Sequence, residues 1–475
     1  MKRFHVSDFR SWIENKKIAV VGTGISNRPL VRWLYQYNRD ISVFDRMEED
    51  NERLKSIIND FEAENIHLKW SVGEGYLDRM TGFDLVFRTP IMRPDHQALL
   101  RARKEGAVIT SEMSLFLALC PAHVTGITGS NGKTTTTTLI SELYRTAGRE
   151  VWTGGNIGIP LLDKVFQIKE DDEVVVELSS FQLFDLTARL DTAVITNLLP
   201  NHLDVHRDFE EYVSAKKNII KEQRPYDRLV LNYSDSISRS MAAEARGEIV
   251  WFNRRDSDLG KSIFCEGDKV WLRNNAEEEI PLLKMQDIVL PGRFNVDNYM
   301  AAWGAVAGRI EPENLSKVAS SFKGVPHRME FVREHKGVYW YNSSIDSTPE
   351  RTITTLKTLF QQGRPIILIC GGRDKNLDYA ELGEVILDTV KKIVFCGENT
   401  PLIKESLFQA EQKRNIKSDS IMMFDASSYE EAIKLAAENS HSGDSVLLSP
   451  TGTSFDLFFN FEERGETFRH IVLKL

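Results

Sequence analysis

A glycine-rich segment that ends in lysine and threonine has the clearest chemical potential in the chain. An apolar run over 122–127 predicts a buried strand, and a helix is predicted from Lys133 to about Gly148. The glycines between them allow successive backbone N–H groups to converge on one anion, and the helix N-terminus adds the positive end of its dipole. The segment therefore predicts a phosphate-binding loop made of Gly129, Ser130, Asn131, Gly132, Lys133, Thr134 and Thr135.

The two residues that open this helix have distinct predicted roles. Lys133 would reach the terminal phosphates of a nucleotide, and the hydroxyl of Thr134 would coordinate the accompanying Mg²⁺. Ile127 occupies the position of the first glycine in the strict phosphate-loop pattern, so a plain glycine-rich turn is the alternative. The five consecutive threonines after Lys133 argue against that alternative, because β-branched residues are mediocre helix formers.

Three more residues with chemical potential follow further along the chain. Glu177 lies within an apolar run, where a lone carboxylate is costly unless it is paired or binds a metal. His202 lies near Asp204 and His206, a set that could hold zinc, but their loop setting disfavours that interpretation. Lys216, taken alone, would be interpreted as a solvated surface lysine.

The N-terminal region has a Rossmann-like pattern. A strand that begins near Lys17 ends in Gly-x-Gly at 22–24, and a second strand ends at Asp45, where an acid can bind a ribose hydroxyl. Asn27 replaces the third glycine of the dinucleotide fingerprint, so the pattern favours another nucleotide, or no ligand, over NAD. A loop over 88–91 follows a further strand at the same sheet edge.

The C-terminal region predicts a second Rossmann-like sheet. Four apolar strands alternate there with helical stretches, at 337–342, 366–370, 393–396 and 446–448. The loops over 371–375 and 448–456 each follow one of these strands, so we expect them to face a common cleft.

Length and composition set the remaining bounds. A chain of 475 residues, 41% of them apolar, should divide into two to four domains. A net charge of −9 with interspersed signs disfavours nucleic acid or an anionic membrane as a partner. No run could span a bilayer and the charged N-terminus has no signal core, so we expect a cytoplasmic protein. Four scattered cysteines without a C-x-x-C pair argue against disulfides and thiolate metal sites.

Five motifs together resemble the Mur ligase superfamily in their order and spacing. They are TGSNGKT at 128–134, ELSSFQ at 177–182, NHLD at 201–204, YVSAK at 212–216 and PHR at 326–328. The motifs extend over most of the chain, and the segment at 460–469 is most similar to the D-glutamate-adding branch.

This resemblance implies an ATP-dependent ligase of peptidoglycan precursor synthesis with three α/β domains. They are a Rossmann-like UDP-binding domain over 1–111, a central ATP-binding phosphate-loop domain over 112–324 and a Rossmann-like amino-acid-binding domain over 325–475. ATP would convert a substrate carboxylate to an acyl phosphate, and an amine would displace the phosphate to form an amide. The implied substrates are UDP-N-acetylmuramoyl-L-alanine and D-glutamate, and we expect a monomer.

The resemblance also implies a catalytic and a nucleotide-binding set. The catalytic residues would be Lys133, Glu177, His202 and Lys216. Two Mg²⁺ ions would be held by Thr134, Glu177, His202 and Lys216, the last carbamylated by CO₂. Beyond the phosphate loop, the nucleotide would contact Asn295, Asn298, Arg328 and Asp374, although Asn295 taken alone could be a structural helix cap.

Two further residue sets are implied for the other substrates. The UDP-linked substrate would contact Gly24, Ile25, Ser26, Asp45, Arg46, Thr89 and Asn156. The incoming amino acid would contact His327, Ser347, Lys375, Ser454 and Phe461.

One segment departs from the resemblance. Ile345 and Asp346 stand where the D-glutamate-adding branch has lysine and alanine, so a cation is lost and an anion is added. An acidic amino acid would bind less easily there unless Lys375 or another base compensates. Two alternatives therefore stay open: a ligase of the superfamily that uses a different substrate, and a regulatory paralogue that binds nucleotide without ligation.

Overall fold

The computed structural model describes residues 6–24, 26–157, 160–200, 205–255, 260–275, 278–290, 292–374, 377–415 and 421–475. Three residues with predicted roles, Ile25, His202 and Lys375, lie outside these ranges, as does the whole motif at 201–204.

The first sheet has five parallel strands in the order β3-β2-β1-β4-β5. The strands are β1 (Ile18–Val21), β2 (Ile41–Asp45), β3 (Lys69–Val72), β4 (Leu85–Phe87) and β5 (Val108–Thr110). The helices of this region are α1 (Val6–Ile13), α2 (Asn27–Tyr35), α3 (Glu52–Ala63), α4 (Gln97–Lys104) and α5 (Glu112–Leu119). The order confirms the predicted Rossmann-like pattern, in which ligands bind at the carboxyl ends of the strands.

The second sheet has nine strands in the order β14-β13-β12-β11-β10-β9-β6-β8-β7. The strands are β6 (His123–Thr128), β7 (Val151–Gly155), β8 (Glu173–Glu177), β9 (Thr192–Ile195), β10 (Arg228–Asn232), β11 (Glu248–Phe252), β12 (Ser262–Glu266), β13 (Lys269–Asn275) and β14 (Glu278–Lys284). Its helices are α6 (Lys133–Thr146), α7 (Ser180–Leu183), α8 (Phe209–Lys217), α9 (Ser236–Ser240), α10 (Arg293–Val306) and α11 (Glu313–Ser321). β6 lies between β8 and β9 and runs parallel to both, so the residues that follow these three strands meet at one edge.

The third sheet has six strands in the order β15-β16-β20-β17-β18-β19. The strands are β15 (Glu330–His335), β16 (Val338–Asn342), β17 (Ile366–Cys370), β18 (Val390–Phe395), β19 (Met422–Asp425) and β20 (Ser445–Leu448). The helices are α12 (Pro349–Phe360), α13 (Ala380–Thr389), α14 (Thr400–Arg414), α15 (Tyr429–Glu438) and α16 (Phe461–Lys474). The two edge strands β15 and β19 were not predicted: β15 mixes charged with apolar residues, β19 is a run of only four residues, and neither strand is buried.

The chain forms two compact units. The first comprises Met1–Asp287 and Val296–Ser320 and holds the first two sheets; the second comprises Ile288–Asn295 and Ser321–Leu475 and holds the third. Each predicted domain segment contains one sheet, and the boundaries at 111/112 and 324/325 stay predictions. Among the described residues, no helix is both long and apolar enough to cross a membrane.

The first unit is joined by a shared core. One cluster of buried apolar side chains includes residues of both sheets, from Phe9 and Ile18 to Leu229 and Trp251. Helix α5 lies in the chain between the two sheets, and all eight of its residues are buried. A helix that is buried on all sides must pack against neighbours on all sides, and the large apolar residues of α5 belong to the shared cluster, so α5 joins the two sheets.

A buried arginine reinforces this junction. The guanidinium of Arg88, just after β4, is fully buried and donates to both carboxylate oxygens of Asp185. It also donates to the carbonyl oxygens of Thr89, Pro90 and Met92 in its own loop, and of Phe181 on α7. Arg88 therefore fixes the loop after β4 relative to the segment that follows Glu177.

We predict that Arg88→Met lowers the free energy of unfolding of the first unit by about 3 kcal/mol, because it leaves the Asp185 carboxylate and several carbonyls without their buried donor. Seven of the eight tryptophans lie in this unit, so urea unfolding followed by tryptophan fluorescence measures it. The matched control is Lys69→Met, which breaks the exposed pair of Lys69 with Asp40 and should cost less than about 1 kcal/mol. Equal losses in the two variants would contradict the assignment.

Candidate active site

The loop between β6 and α6 requires two of its glycines. Gly129 has φ +148° and Gly132 has φ +80°, both in the range that disfavours residues with a side chain. A Cβ atom on Gly129 would lie 1.9 Å from Oγ1 of Thr196, and one on Gly132 would lie 2.4 Å from Oδ1 of Asn298. These glycines therefore let the loop pack closely against β9 and α10, and they place Asn298, a predicted nucleotide contact, against the loop.

The segment after β9 holds the loop in shape. The backbone N–H of Ser130 donates to the carbonyl oxygen of Asn197 (2.8 Å), and that of Asn131 donates to Asn197 Oδ1 (2.9 Å). Thr196 Oγ1 donates to the carbonyl oxygen of Asn131 (2.6 Å). Sequence reasoning did not identify Thr196 or Asn197, although polar residues directly after a buried strand are a signal that could have found them.

Ser130 joins the loop to α8. Its Oγ lies 2.8 Å from the hydroxyl of Tyr212 and 2.8 Å from the carbonyl oxygen of Leu199. Tyr212 is buried and lies one helical turn before Lys216 on α8. The serine of the loop therefore positions the helix that carries the predicted carbamylated lysine.

Thr134 and Glu177 meet at the ends of neighbouring elements. Thr134 Oγ1 donates to Glu177 Oε2 (2.7 Å), and Asn156 Nδ2 donates to Glu177 Oε1 (3.0 Å). Glu177 ends β8 and is 2% exposed, so its carboxylate is held by two short hydrogen bonds in a buried position. Asn156, predicted as a contact of the UDP-linked substrate, lies beside this carboxylate.

Lys133 and Lys216 converge on one carbonyl oxygen. The amine of Lys133 donates to the carbonyl oxygens of Gly129 (2.9 Å) and Ser130 (3.0 Å). The amine of Lys216 donates to Thr128 Oγ1 (3.1 Å) and to the same Gly129 oxygen (3.0 Å). Two lysines thus approach the phosphate loop, Lys133 from within it and Lys216 from α8.

Lys216 is not the solvated surface lysine that its sequence context alone suggests. It is 2% exposed, and burial together with the positive charge of Lys133 lowers its pKa to about 6, against the opposing effect of Glu177. Its amine is therefore mostly neutral at pH 7. A neutral amine is a nucleophile, whereas an ammonium ion is not.

The chemistry of this edge fits a divalent cation at one position. The hydroxyl of Thr134 and the carboxylate of Glu177 are oxygen ligands of the kind that Mg²⁺ prefers. Within the described ranges, no group of three or more His, Cys, Asp or Glu could hold a metal ion, and His202 lies outside them. His206 is buried, stacks on Phe181 and Phe184, and lies 2.9 Å from Ser180 Oγ, which is the setting of a packed core histidine.

The carboxyl edge of the first sheet brings several predicted UDP-substrate residues together. Asp45 Oδ2 accepts hydrogen bonds from the N–H (2.8 Å) and hydroxyl (2.7 Å) of Thr23. Thr89 packs against Gly22, so the ends of β1, β2 and β4 lie side by side. Three further members of the set follow the same strands: Gly24 and Arg46 are exposed, and Ser26 precedes α2. Asn156 is not at this edge, because it follows β7 of the second sheet and bonds to Glu177.

In the second unit, several predicted contacts of the incoming amino acid surround the loop that follows β16. Asn342 Nδ2 lies 3.0 Å from His327 Nδ1, and Phe461 packs edge-on against the same ring. Ser454 is buried, and Ser347 lies in the loop itself. Four predicted nucleotide contacts remain. Thr135 is buried on α6, and Asn295 is buried on α10. Asp374 accepts a hydrogen bond from the Tyr379 hydroxyl (2.9 Å), and the backbone N–H of Arg328 donates to the carbonyl oxygen of Val325 (3.1 Å).

The position of Asp346 corrects an expectation from the sequence. Its side chain is 4% exposed and accepts hydrogen bonds from Thr355 (2.8 Å) and Ser449 (2.9 Å). Burial raises the pKa of this carboxyl. Asp346 therefore ties its loop to α12 and β20, and it does not present an anion to an acidic ligand.

Arg464 is a further structural residue that the sequence analysis did not identify. It is 1% exposed and donates to Ser344 Oγ (3.0 Å) and to the carbonyl oxygens of Ser344 (2.8 Å) and Gly452 (3.2 Å). It thereby joins the loops that follow β16 and β20. An arginine before a glycine near the end of a chain gives no sequence signal of such burial.

Comparison with protein families gives two consecutive matches. The Mur ligase middle domain matches residues 127–306, and the Mur ligase glutamate ligase domain matches residues 327–452. The first match covers the phosphate loop, Glu177 and Lys216, and the second begins at His327.

Relatives of similar length are found among known proteins. The chain is 48% identical to a UDP-N-acetylmuramoylalanine--D-glutamate ligase of Acetivibrio thermocellus, over 98% of each chain. It is 42% identical to the enzyme of the same name from Clostridium perfringens, over 99% of each chain. Among solved structures, a UDP-N-acetylmuramate-alanine ligase from Thermotoga maritima is similar in fold, with TM-score 0.56, 16% identity and coverage of 97% of this chain and 100% of that one.

We predict that the buried amine of Lys216 makes stability depend on pH. The unfolded chain keeps this lysine protonated up to about pH 10.4, whereas the folded protein releases the proton above pH 6. The unfolded state therefore binds more protons in this window, and the unfolding free energy of the wild type should rise with pH relative to Lys216→Met, by up to about 1.4 kcal/mol per pH unit. Urea unfolding at pH 6.5, 7.5 and 8.5 measures the slope. The neighbouring Lys217→Met should give no slope, and a flat difference for Lys216→Met would contradict the prediction.

Proposed function

The chain belongs to the Mur ligase family, and from this premise we propose that it joins D-glutamate to UDP-N-acetylmuramoyl-L-alanine at the expense of ATP. The observation that carries the proposal is the meeting of the phosphate loop, the Thr134–Glu177 pair and the neutral Lys216 at one sheet edge. The named relatives, which match over nearly the full chain, support the choice of substrates.

The reaction has two steps in which charge must be stabilised. A carboxylate oxygen of the substrate attacks the γ-phosphorus of ATP and ADP leaves, which gives an acyl phosphate. The amine of D-glutamate then attacks the acyl carbon, inorganic phosphate leaves and the amine loses a proton, which gives the amide. The first step brings two anions together, so preorganised positive charge at the phosphates is the main requirement.

The residues of the loop meet this requirement. The first N–H groups of α6 and the positive end of its dipole would face the phosphates, whereas the N–H groups of Ser130 and Asn131 are bonded to Asn197 and hold the loop in shape. The amine of Lys133 lies against the loop carbonyls and would bind the terminal phosphates when a nucleotide is present. A divalent cation bound with the nucleotide would supply further positive charge, held by Thr134 and Glu177.

Lys216 is suited to carbamylation. Its neutral nitrogen attacks CO₂ to form an N–C bond and then releases one proton, so that a buried amine becomes an anionic carbamate. The low pKa keeps the amine in its reactive form, and a carboxylate-like group would offer the oxygen atoms that Mg²⁺ prefers. We assign a second divalent cation to this carbamate together with His202.

We predict ATP-dependent ligation with D-glutamate. Purified protein with ATP, Mg²⁺, bicarbonate and UDP-N-acetylmuramoyl-L-alanine should release phosphate and form the amide with D-glutamate, but not with L-glutamate or L-lysine. Mass spectrometry identifies the product. Turnover with only another amino acid would retain the mechanism and reject the substrate. Binding of ATP without turnover would favour the regulatory paralogue.

We also predict that Lys216→Met lowers kcat by about a thousandfold or more, because the carbamate cannot form. In the wild type, ¹³C-bicarbonate should give a carbamate signal by NMR that is absent in Lys216→Met. Lys217→Met, one residue away and partly exposed, serves as the control and should keep both signal and activity. Persistence of the carbamate signal in Lys216→Met would assign it to another amine.

A further inference from the structure

The loop over 343–348 is the junction of the second unit's predicted amino-acid site. The N–H of Ile345 donates to the carbonyl oxygen of His327 (3.1 Å), and the hydroxyl of Ser344 donates to the carbonyl oxygen of Phe461 (2.8 Å). The N–H of Thr451, in the loop that leads to Ser454, donates to the carbonyl oxygen of Asp346 (2.9 Å). The loop thus contacts each segment that carries a described residue of this set.

A dicarboxylate substrate requires a cation near this loop. Most cationic side chains nearby are already hydrogen-bonded or paired within the protein. Arg464 is buried, its Nε and Nη2 donate to Ser344 and Gly452, and its Nη1 is enclosed in the interior of the fold. Arg373 is paired with Glu398. Ile345 is aliphatic and supplies no charge.

Arg351 is different. It lies in the first turn of α12, is exposed, and donates from Nη1 to the carbonyl oxygen of Ile345 (3.1 Å). Within the described chain, this carbonyl is the hydrogen-bond partner of Arg351, which also interacts electrostatically with the buried carboxyl of Asp346. The guanidinium therefore lies at the rim of the loop with most of its donors directed to solvent.

The same carbonyl places Arg351 beside Ser347. The Ile345 oxygen also accepts the N–H of Ser347 (2.8 Å), so the guanidinium and the Ser347 backbone share one acceptor. A carboxylate that bonds to the outer nitrogens of Arg351 would consequently lie next to Ser347. The carboxyl of Asp346 interacts with Arg351 through its charge, but it accepts its hydrogen bonds from Thr355 and Ser449 and leaves the outer donors of Arg351 to solvent-side ligands.

We propose that Arg351 binds a carboxylate of the incoming amino acid and thereby sets the preference for an acidic one. This inference rests on the proposed function. A guanidinium offers paired N–H donors in a plane that matches a carboxylate, and the exposed position leaves those donors accessible. Arg351 would thus supply the charge that Ile345 does not.

The test compares Arg351→Met with the wild type for two nucleophiles. D-glutamate carries carboxylates, whereas hydroxylamine has none and captures the acyl phosphate as a hydroxamate when its nitrogen displaces phosphate. Arg351→Met should raise the KM for D-glutamate about 10- to 100-fold, the effect of losing one hydrogen-bonded charge. Hydroxamate formation and the KM for ATP should stay within about twofold, and Arg351→Lys should restore part of the loss.

The matched control is Lys357→Met. Lys357 is also an exposed cation on α12, but it is six residues further along and faces Glu381, so its loss should leave the KM for D-glutamate unchanged. An unchanged KM in Arg351→Met, an equal rise in Lys357→Met, or an equal fall in hydroxamate formation would each overturn the inference. A wild type that forms neither hydroxamate nor amide would instead reject the proposed function.

Discussion

The burial of Lys216 beneath the phosphate loop is the constraint on which the central site depends. An amine that is removed from water and lies close to Lys133 cannot easily carry a proton, and its pKa falls accordingly. Such a group is costly to bury, so its position is held by several contacts. The hydroxyl of Tyr212, on the same helix, is hydrogen-bonded to Ser130. Thr128 Oγ1 and the carbonyl oxygen of Gly129 accept hydrogen bonds from the Lys216 amine itself.

The two units solve different problems in the proposed reaction. In the first unit, a continuous core and the buried pair of Arg88 with Asp185 connect the loop after β4 to the segment that follows Glu177. The edge proposed to bind the UDP-linked substrate and the edge proposed to bind phosphate therefore belong to the same unit. In the second unit, by contrast, a single loop over 343–348 contacts the segments proposed to bind the amino acid. The buried side chains of Arg464 and Asp346 hold that loop in place through hydrogen bonds.

Asp346 and Arg351 illustrate how charge in a sequence can mislead. Both lie near the same loop, and from spacing alone each could face a ligand. Hydrogen bonds from Thr355 and Ser449 make the carboxyl of Asp346 a structural group, while Arg351 keeps exposed donors. The net charge that a ligand meets thus depends on which side chains are already satisfied within the fold.

The sequence by itself predicted the Rossmann-like sheets at the two ends of the chain and the glycine-rich turn between β6 and α6, because hydrophobic runs and glycine positions act locally. It also identified Glu177, since a carboxylate within an apolar run needs a partner. It could not predict which residues bond to one another. The hydrogen bonds of Thr196 and Asn197 to the glycine-rich loop, the ion pair of Arg88 with Asp185, and the acceptor that Lys133 and Lys216 share were all unforeseen. These contacts join residues that are far apart in the chain. Burial and pKa follow from the packing of such distant segments, so the tertiary structure alone decided that Lys216 is a buried amine with a lowered pKa and that Asp346 faces inward.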